Sequence, residues 1–179
     1  MVAAQALKRG AWLGAAGLAA SLIMVLAWHG RRPDPGLVCF VPAGVMRHLA
    51  PEDVLEVRVG VGDRLQSFTR SAAEGWHTAG TLVSEERARR LDSGLRFLYV
   101  SAPQRIMQPE EYRGAALAEF GLDPPHYSVE VRGATSALFV IHYGATHPQG
   151  LAQYTRIGGN EAIVLLPRFV GEPWEDLVP

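Results

Sequence analysis

Apolar and polar residues alternate from Val54 to Val59, with Val54, Glu56 and Arg58 interleaved with Leu55, Val57 and Val59. Period two predicts a strand with one face covered. Gly60-Val61-Gly62-Asp63 supplies turn chemistry, and the alternation resumes from Leu65 to Arg70. The two runs are expected to form a β-hairpin. A second turn over residues 72–75 leads to Trp76 and a short third strand.

The period then changes. Val83, Ala88, Leu91, Leu95 and Leu98 recur at helical spacing, which predicts an amphipathic helix. Thr81 or Ser84 can cap it, and Glu85 and Glu86 suit the positive end of its dipole. A second, shorter helix is expected over residues 108–120, with Pro109 in its first turn and Tyr112, Ala116, Leu117 and Phe120 facing inward. Gly121 stands where a left-handed residue ends a helix. Leu122 can fold back on the last turn, and Asp123 can cap or hydrogen-bond the turn. Pro124 and Pro125 force an extended path. The run from Gly121 to Pro125 is therefore structural punctuation.

Beyond it, YSVEVRG and ALFVIHYG alternate as two strands around GATS, and LAQYTRIGGNEAIVLLP contains two more around GGNE. RFVGEPWEDLV closes the chain as a loop or short helix. The architecture expected is α+β, a hairpin and a C-terminal antiparallel meander with two intervening helices.

A different pattern precedes this domain. Gly10 to Gly30 contains no Asp, Glu, Lys or Arg. As a helix it spans roughly 30 Å, the thickness of a hydrocarbon core. Trp12 and Trp28 flank it, as interfacial indoles do. Gly14, Gly17 and Ala20 either admit a neighbouring helix or are simply common in membrane helices. The run is too long for a signal-peptide core, and WHGRR is a poor cleavage region. Cys39 lies too far past the run, and behind too large a residue, to be a lipoprotein cysteine. A single-pass anchor is expected over 10–30, with a cytoplasmic tail 1–9, a Pro/Gly-rich linker 31–50 and an extracytoplasmic domain 51–179. Lys8 and Arg9 favour an inside amino terminus; Arg31 and Arg32 oppose it.

Charge sharpens the division. The chain has 17 basic and 18 acidic residues, but Lys8, Arg9, Arg31 and Arg32 all flank the apolar run. From Pro33 onward 13 arginines face 18 acidic residues, a balance of −5. Such a domain repels nucleic acid and anionic headgroups. Cys39 is the only cysteine, so no disulfide forms within the chain.

Candidate chemistry is sparse. Six histidines invite a metal reading, but none has zinc-ligand spacing with another His or Cys; His142 and His147 are five apart. His77 and His126 read as surface or rim residues. VGVGD lacks phosphate-loop spacing, and no G-x-S-x-G occurs. Glu52-Asp53, Glu85-Glu86, Glu110-Glu111 and Glu175-Asp176 stand at element starts or in the tail, where dipole and solubility roles explain them. Arg87, Arg89, Arg90 and Arg96 belong to the helix's solvated face. The expectation is no enzyme, no cofactor and no metal. Most aromatics, Phe97 and Phe169 included, are expected in the core. Two are candidate partner contacts: Phe40, in the apolar LVCFV of the linker, and Trp174, in the acidic GEPWEDLVP. Trp174 is either an exposed docking anchor or a cover over the sheet's open end.

A strand pair ending in GW, a helix, FGLDPP, a strand pair, a GG turn, AIVLLP and a terminal helix together resemble domain-of-unknown-function family 4340 over roughly Glu52 to Val178. The resemblance implies a bacterial membrane-anchored extracytoplasmic module, some members of which accompany ABC-type transporters of the gliding-motility kind. It implies no catalytic residues. The chain carries a single copy of the module. The expected location is the bacterial inner membrane with the domain in the periplasm. The expected role is a non-catalytic accessory subunit of a membrane complex, such as a transporter or a respiratory or photosynthetic assembly. The partners expected are that complex and, through the helix, the lipid bilayer, with no nucleic acid. The alternative is a small-ligand or glycan-binding module, which requires an aromatic patch on the meander face.

Overall fold

Val57, Val59 and Phe68 are fully buried while Arg58 and Ser67 point the other way, so the hairpin alternates as its sequence does. The computed structural model describes residues 17–27, 43–71, 75–134 and 138–179. Residues 17–27 form a helix, α1, whose side chains are all exposed. It belongs to a separate unit from the one that spans residues 42–179.

The second unit is a small α+β domain. Strands β1 (Val54–Val61), β2 (Arg64–Ser71), β3 (Gly75–Thr78) and β4 (Thr81–Leu82) precede helix α2 (Glu85–Val100). Then come β5 (Arg105–Met107), β6 (Tyr127–Gly133), β7 (Leu138–Thr146), β8 (Ala152–Ile157), β9 (Ile163–Pro167) and helix α3 (Arg168–Glu175). All nine strands form one antiparallel sheet in the order β4-β3-β2-β1-β6-β7-β8-β9-β5. The hairpin and the meander are one sheet because β1 pairs with β6, Val57 opposite Val131 and Val59 opposite Val129.

One face of the sheet carries the main core. Val57, Phe68, Trp76, Val129, Ile141 and Leu166 cluster there with Leu91, Leu95 and Leu98 of α2 and Val170 and Trp174 of α3. Ser84 caps α2, its hydroxyl accepting from the Arg87 N–H at 3.4 Å. Asp92 ties α2 to the hairpin by accepting from Trp76 Nε1 at 3.0 Å and from Arg70, whose guanidinium lies 4.8 Å from the Trp76 ring centroid. Trp174 is 0 % exposed. It packs on Gly94 so closely that a β-carbon there would lie 2.4 Å from the indole.

Three expectations are corrected, and one strand, β5, is not predicted by the sequence at all. The segment expected as a second helix holds only turns and a 3-10 turn, Leu117–Phe120. Gly114 has φ of 98°, outside the helical region, and Glu111 and Glu119 bond the amides of Gln108 and Ala116 locally. Tyr112, Leu117 and Phe120 still face inward, covering Ile163 and Leu165 on the sheet's second face. Residues 44–49, expected in the linker, pack on the domain, because Met46 and Leu49 enter the core and Gly44 and Met46 donate to the carbonyls of Tyr99 and Leu98. Leu55 is exposed although its neighbours alternate, because a bulge between Val54 and Glu56 puts Val54 inside instead. The edge strand β5 follows no alternation, being three residues long.

Gly121 is left-handed as expected, with φ of 66°. Leu122 folds back, buried, its N–H donating to Leu117 at 3.0 Å. The Asp123–Pro124 peptide is cis. Asp123, expected to bond the turn, is exposed, and its carboxylate has no hydrogen-bond partner among the described residues.

Two stability predictions follow from these contacts. Asp123→Ala should change unfolding free energy by less than about 0.5 kcal/mol, whereas Gly121→Ala should cost about 1–2 kcal/mol through its left-handed backbone alone. Equal losses in urea unfolding would contradict the assignment of the turn to backbone geometry. Gly94→Ala should destabilise by about 1–3 kcal/mol from overpacking, against a helix-propensity gain of up to about 1 kcal/mol. A raised midpoint would mean that Trp174 can move aside.

Candidate functional site

α2 and α3 lie side by side on the sheet, and an open groove of about 830 Å³ runs between them. Their inward faces explain what lines it. α3 spends Val170, Gly171 and Trp174 on the core, which turns Phe169, Glu172 and Pro173 outward. Phe169 is 46 % exposed and meets Phe97 of α2 edge to face at 5.2 Å. Glu86, Arg89 and Arg90 of α2 face Glu172, Glu175 and Asp176 across the groove.

The charges are partly committed to one another. Arg90 pairs with Glu86 at 2.9 Å and with Asp176 from α3's end, so it joins the two walls. Its hydrogen bond holds the Glu86 carboxyl below the usual carboxylate range. Arg168 grips Glu175 through two bonds of 2.6 and 2.8 Å. Glu172 has no ion pair within 4 Å among the described residues. The groove thus combines an aromatic floor with a rim in acidic excess. Its lining holds no cysteine or histidine, and its one hydroxyl is Ser93.

The sheet's second face is open over β1, β2, β6 and β7. Glu56 accepts from Arg58 and Ser67, both at 2.8 Å, and faces Arg132 at 3.6 Å. The bond from Arg58, then that from Ser67, lowers its carboxyl pKa. Next to this network, Ser128 Oγ and His142 Nδ1 are 2.7 Å apart, paired across β6 and β7. Burial, then Arg156, holds His142 below its ordinary value of 6.5, while Glu130 opposes. A serine–histidine contact raises the question of a nucleophile. Both residues sit inside the antiparallel ladder, where strand amides are engaged between strands and do not converge on an oxyanion. The pair is a cross-strand contact of the kind that stabilises sheets.

The residues singled out in the sequence fall in different places. Trp12, Gly14, Trp28, Cys39 and Phe40 lie outside the described residues. Gly17 begins the described part of α1, with nothing within 4 Å of where its β-carbon would be. Of the two readings of Trp174, the exposed docking anchor is excluded, because α3's helical phase buries the indole against Gly94. Phe169 moves the other way, from expected core to surface. Of the meander's aromatics, Tyr127 and Tyr143 stack at 4.6 Å in the main core, whereas Tyr154 lies half-buried on the second face against Phe120. Tyr112, Phe120, Tyr154 and His147 thus form a half-buried aromatic cluster on the meander's second face, with neighbouring ring centroids 5.1–5.9 Å apart. No group of three or more His, Cys, Asp or Glu among the described residues can hold a metal ion. No protein-family model, curated protein or solved structure matches the chain.

The titrations have a stability consequence. His142 binds its proton more readily unfolded than folded, so its contribution is full above 6.5 and is lost as pH falls through its folded value. Glu56 behaves alike in a lower window, full above 4.5 and lost below. Urea midpoints should fall from pH 7.5 to 5.5 in the natural chain and stay nearly level over that interval in His142→Gln. Both should still weaken below pH 4.5. An unchanged slope in the variant would remove His142 from the account.

Proposed function

We propose that this chain is a non-catalytic accessory subunit, tethered to a bacterial inner membrane through residues 10–30, that docks on and stabilises a larger membrane protein complex. The carrying observation is the surface of α1. Leu18, Leu22, Ile23, Met24 and Leu26 point around the whole helix and are 60–74 % exposed. A helix apolar on every side needs an apolar environment, and lipid supplies one. Among the described residues no helix is long and apolar enough to cross a membrane. The described eleven residues cover about 16 Å at the helical rise, and the rest of the uncharged run lies outside them. The absence of charge from Gly10 to Gly30 and the flanking Lys8, Arg9, Arg31 and Arg32 support the longer span.

The acidic balance beyond Pro33 supports a domain held off anionic headgroups. A tether also raises the local concentration of any partner in the same bilayer, so modest contacts suffice.

Membrane fractionation tests the tether. The full chain should stay in the membrane pellet after an alkaline carbonate wash. Leu22→Arg with Ile23→Arg should release it, since each charge near a span's centre costs about 2.5–3.5 kcal/mol. A natural chain that washes off refutes the anchor. Purification in mild detergent should yield a stoichiometric membrane partner; a chain that purifies alone argues against the accessory role.

A further inference from the structure

We propose that the α2–α3 groove is the docking site for a basic segment of the partner, one that presents a large apolar side chain between Phe97 and Phe169. The inference rests on the accessory-subunit reading and names the surface and the partner's chemistry. Three observations carry it. Phe169 is half exposed on a helix that buries its other large side chains, and its contact with Phe97 makes a small apolar floor. The groove's volume, about 830 Å³, suits a few partner side chains. The lining carries Glu86, Glu172, Glu175 and Asp176 against Arg89 and Arg90, and once Arg168, paired to Glu175, is counted, one acidic group is in excess.

Charge decides between occupants. Arg90 is engaged by Glu86 and Asp176, and Glu175 by Arg168. Glu172 has no ion pair within 4 Å among the described residues, and although it shares the field of Arg168 it faces an incoming group from the outer wall. A Lys or Arg beside an aliphatic or aromatic residue satisfies both the rim and the floor. An anionic lipid headgroup or nucleic acid meets repulsion at the same rim. The floor and rim are built on two helices that the Arg90–Asp176 pair joins.

The test places the photoreactive residue benzoylphenylalanine at Phe169 of the full chain in its native membranes. A second probe replaces exposed Glu172, and a control replaces Leu138, which is 55 % exposed on β7. Irradiation and mass spectrometry then identify the joined peptide. The expected result is a peptide from another membrane protein, net positive and containing a large apolar residue, trapped from both groove positions. Its yield should fall at least fivefold when Glu172→Lys is combined with the Phe169 probe, and fall again at high salt. The Leu138 probe should not trap it. The proposal is overturned if the groove probes trap no more than Leu138 does, or trap lipid, a second copy of the chain or an acidic segment. It is equally overturned if the yield ignores Glu172→Lys. Carbonate washing of the same membranes separates the two claims: a chain that stays in the pellet without the adduct refutes the groove alone. A chain that washes off yet forms the adduct refutes the tether alone.

Discussion

Trp174 against Gly94 is the contact on which the arrangement of the helices depends. The indole is fully buried beneath α2 and on the sheet, and the missing β-carbon of Gly94 is what lets it approach. A second close approach anchors the same helix. A β-carbon on Gly171 would lie 2.2 Å from Gln153 Oε1, and the Gly171 carbonyl accepts from the Tyr127 hydroxyl at 3.1 Å. Burial pushes both Tyr127 and Tyr143 hydroxyls up, so both stay protonated, and Tyr127 keeps its proton to donate. Tyr143 Oη and Trp174 Nε1 are buried without hydrogen-bond partners, a cost the apolar burial of the two rings offsets. Fixing α3 in this way fixes its phase, and the phase sends Phe169 and Glu172 to the surface. The groove is a consequence of how the core is packed.

The sheet imposes the complementary constraint. Its two halves meet at β1 and β6, strands separated by α2 and the long turn segment, so the core closes only when a distant pairing forms. One face is roofed by helices. The other is roofed only over β8, β9 and β5 by residues around Leu117 to Leu122. The remainder carries Glu56, Arg58, Glu130 and Arg132, whose charges neutralise one another across strands. The edges are two and three residues long at β4 and β5, too short to template another strand. Neither the open face nor the edges offer a partner what the groove offers.

Much of this was legible because its causes are local. Alternation located β1, β2 and the meander strands, since a half-covered sheet enforces period two. Ser84 announced the start of α2, and Gly121 the left-handed turn. What escaped depends on contacts between distant residues. The bulge that exposes Leu55 is set by pairing with β6, and the edge strand β5 exists only because β9 lies beside it. The segment after Pro109 reads as a helix from its apolar spacing, yet Gly114 takes a conformation that no helix contains. The exchange of roles between Phe169 and Trp174 has the same origin. Pro173 lies inside α3 and argues for a loop, and without a helical phase nothing in RFVGEPWEDLV says which aromatic turns inward. The groove needed that phase and was invisible without it.

The distribution of charge ties these features to the proposed tether. Every basic residue before Pro33 flanks the uncharged run, and every acidic residue lies beyond it. An acidic domain tethered near an anionic leaflet would be pushed away from the headgroups over about 8 Å, the screening length at physiological salt. The same sign of charge at the groove's rim favours a positively charged visitor. Repulsion from lipid and attraction to a basic segment act together on one rim. A surface that avoids the bilayer while favouring cationic protein is the physical content of the proposed docking role.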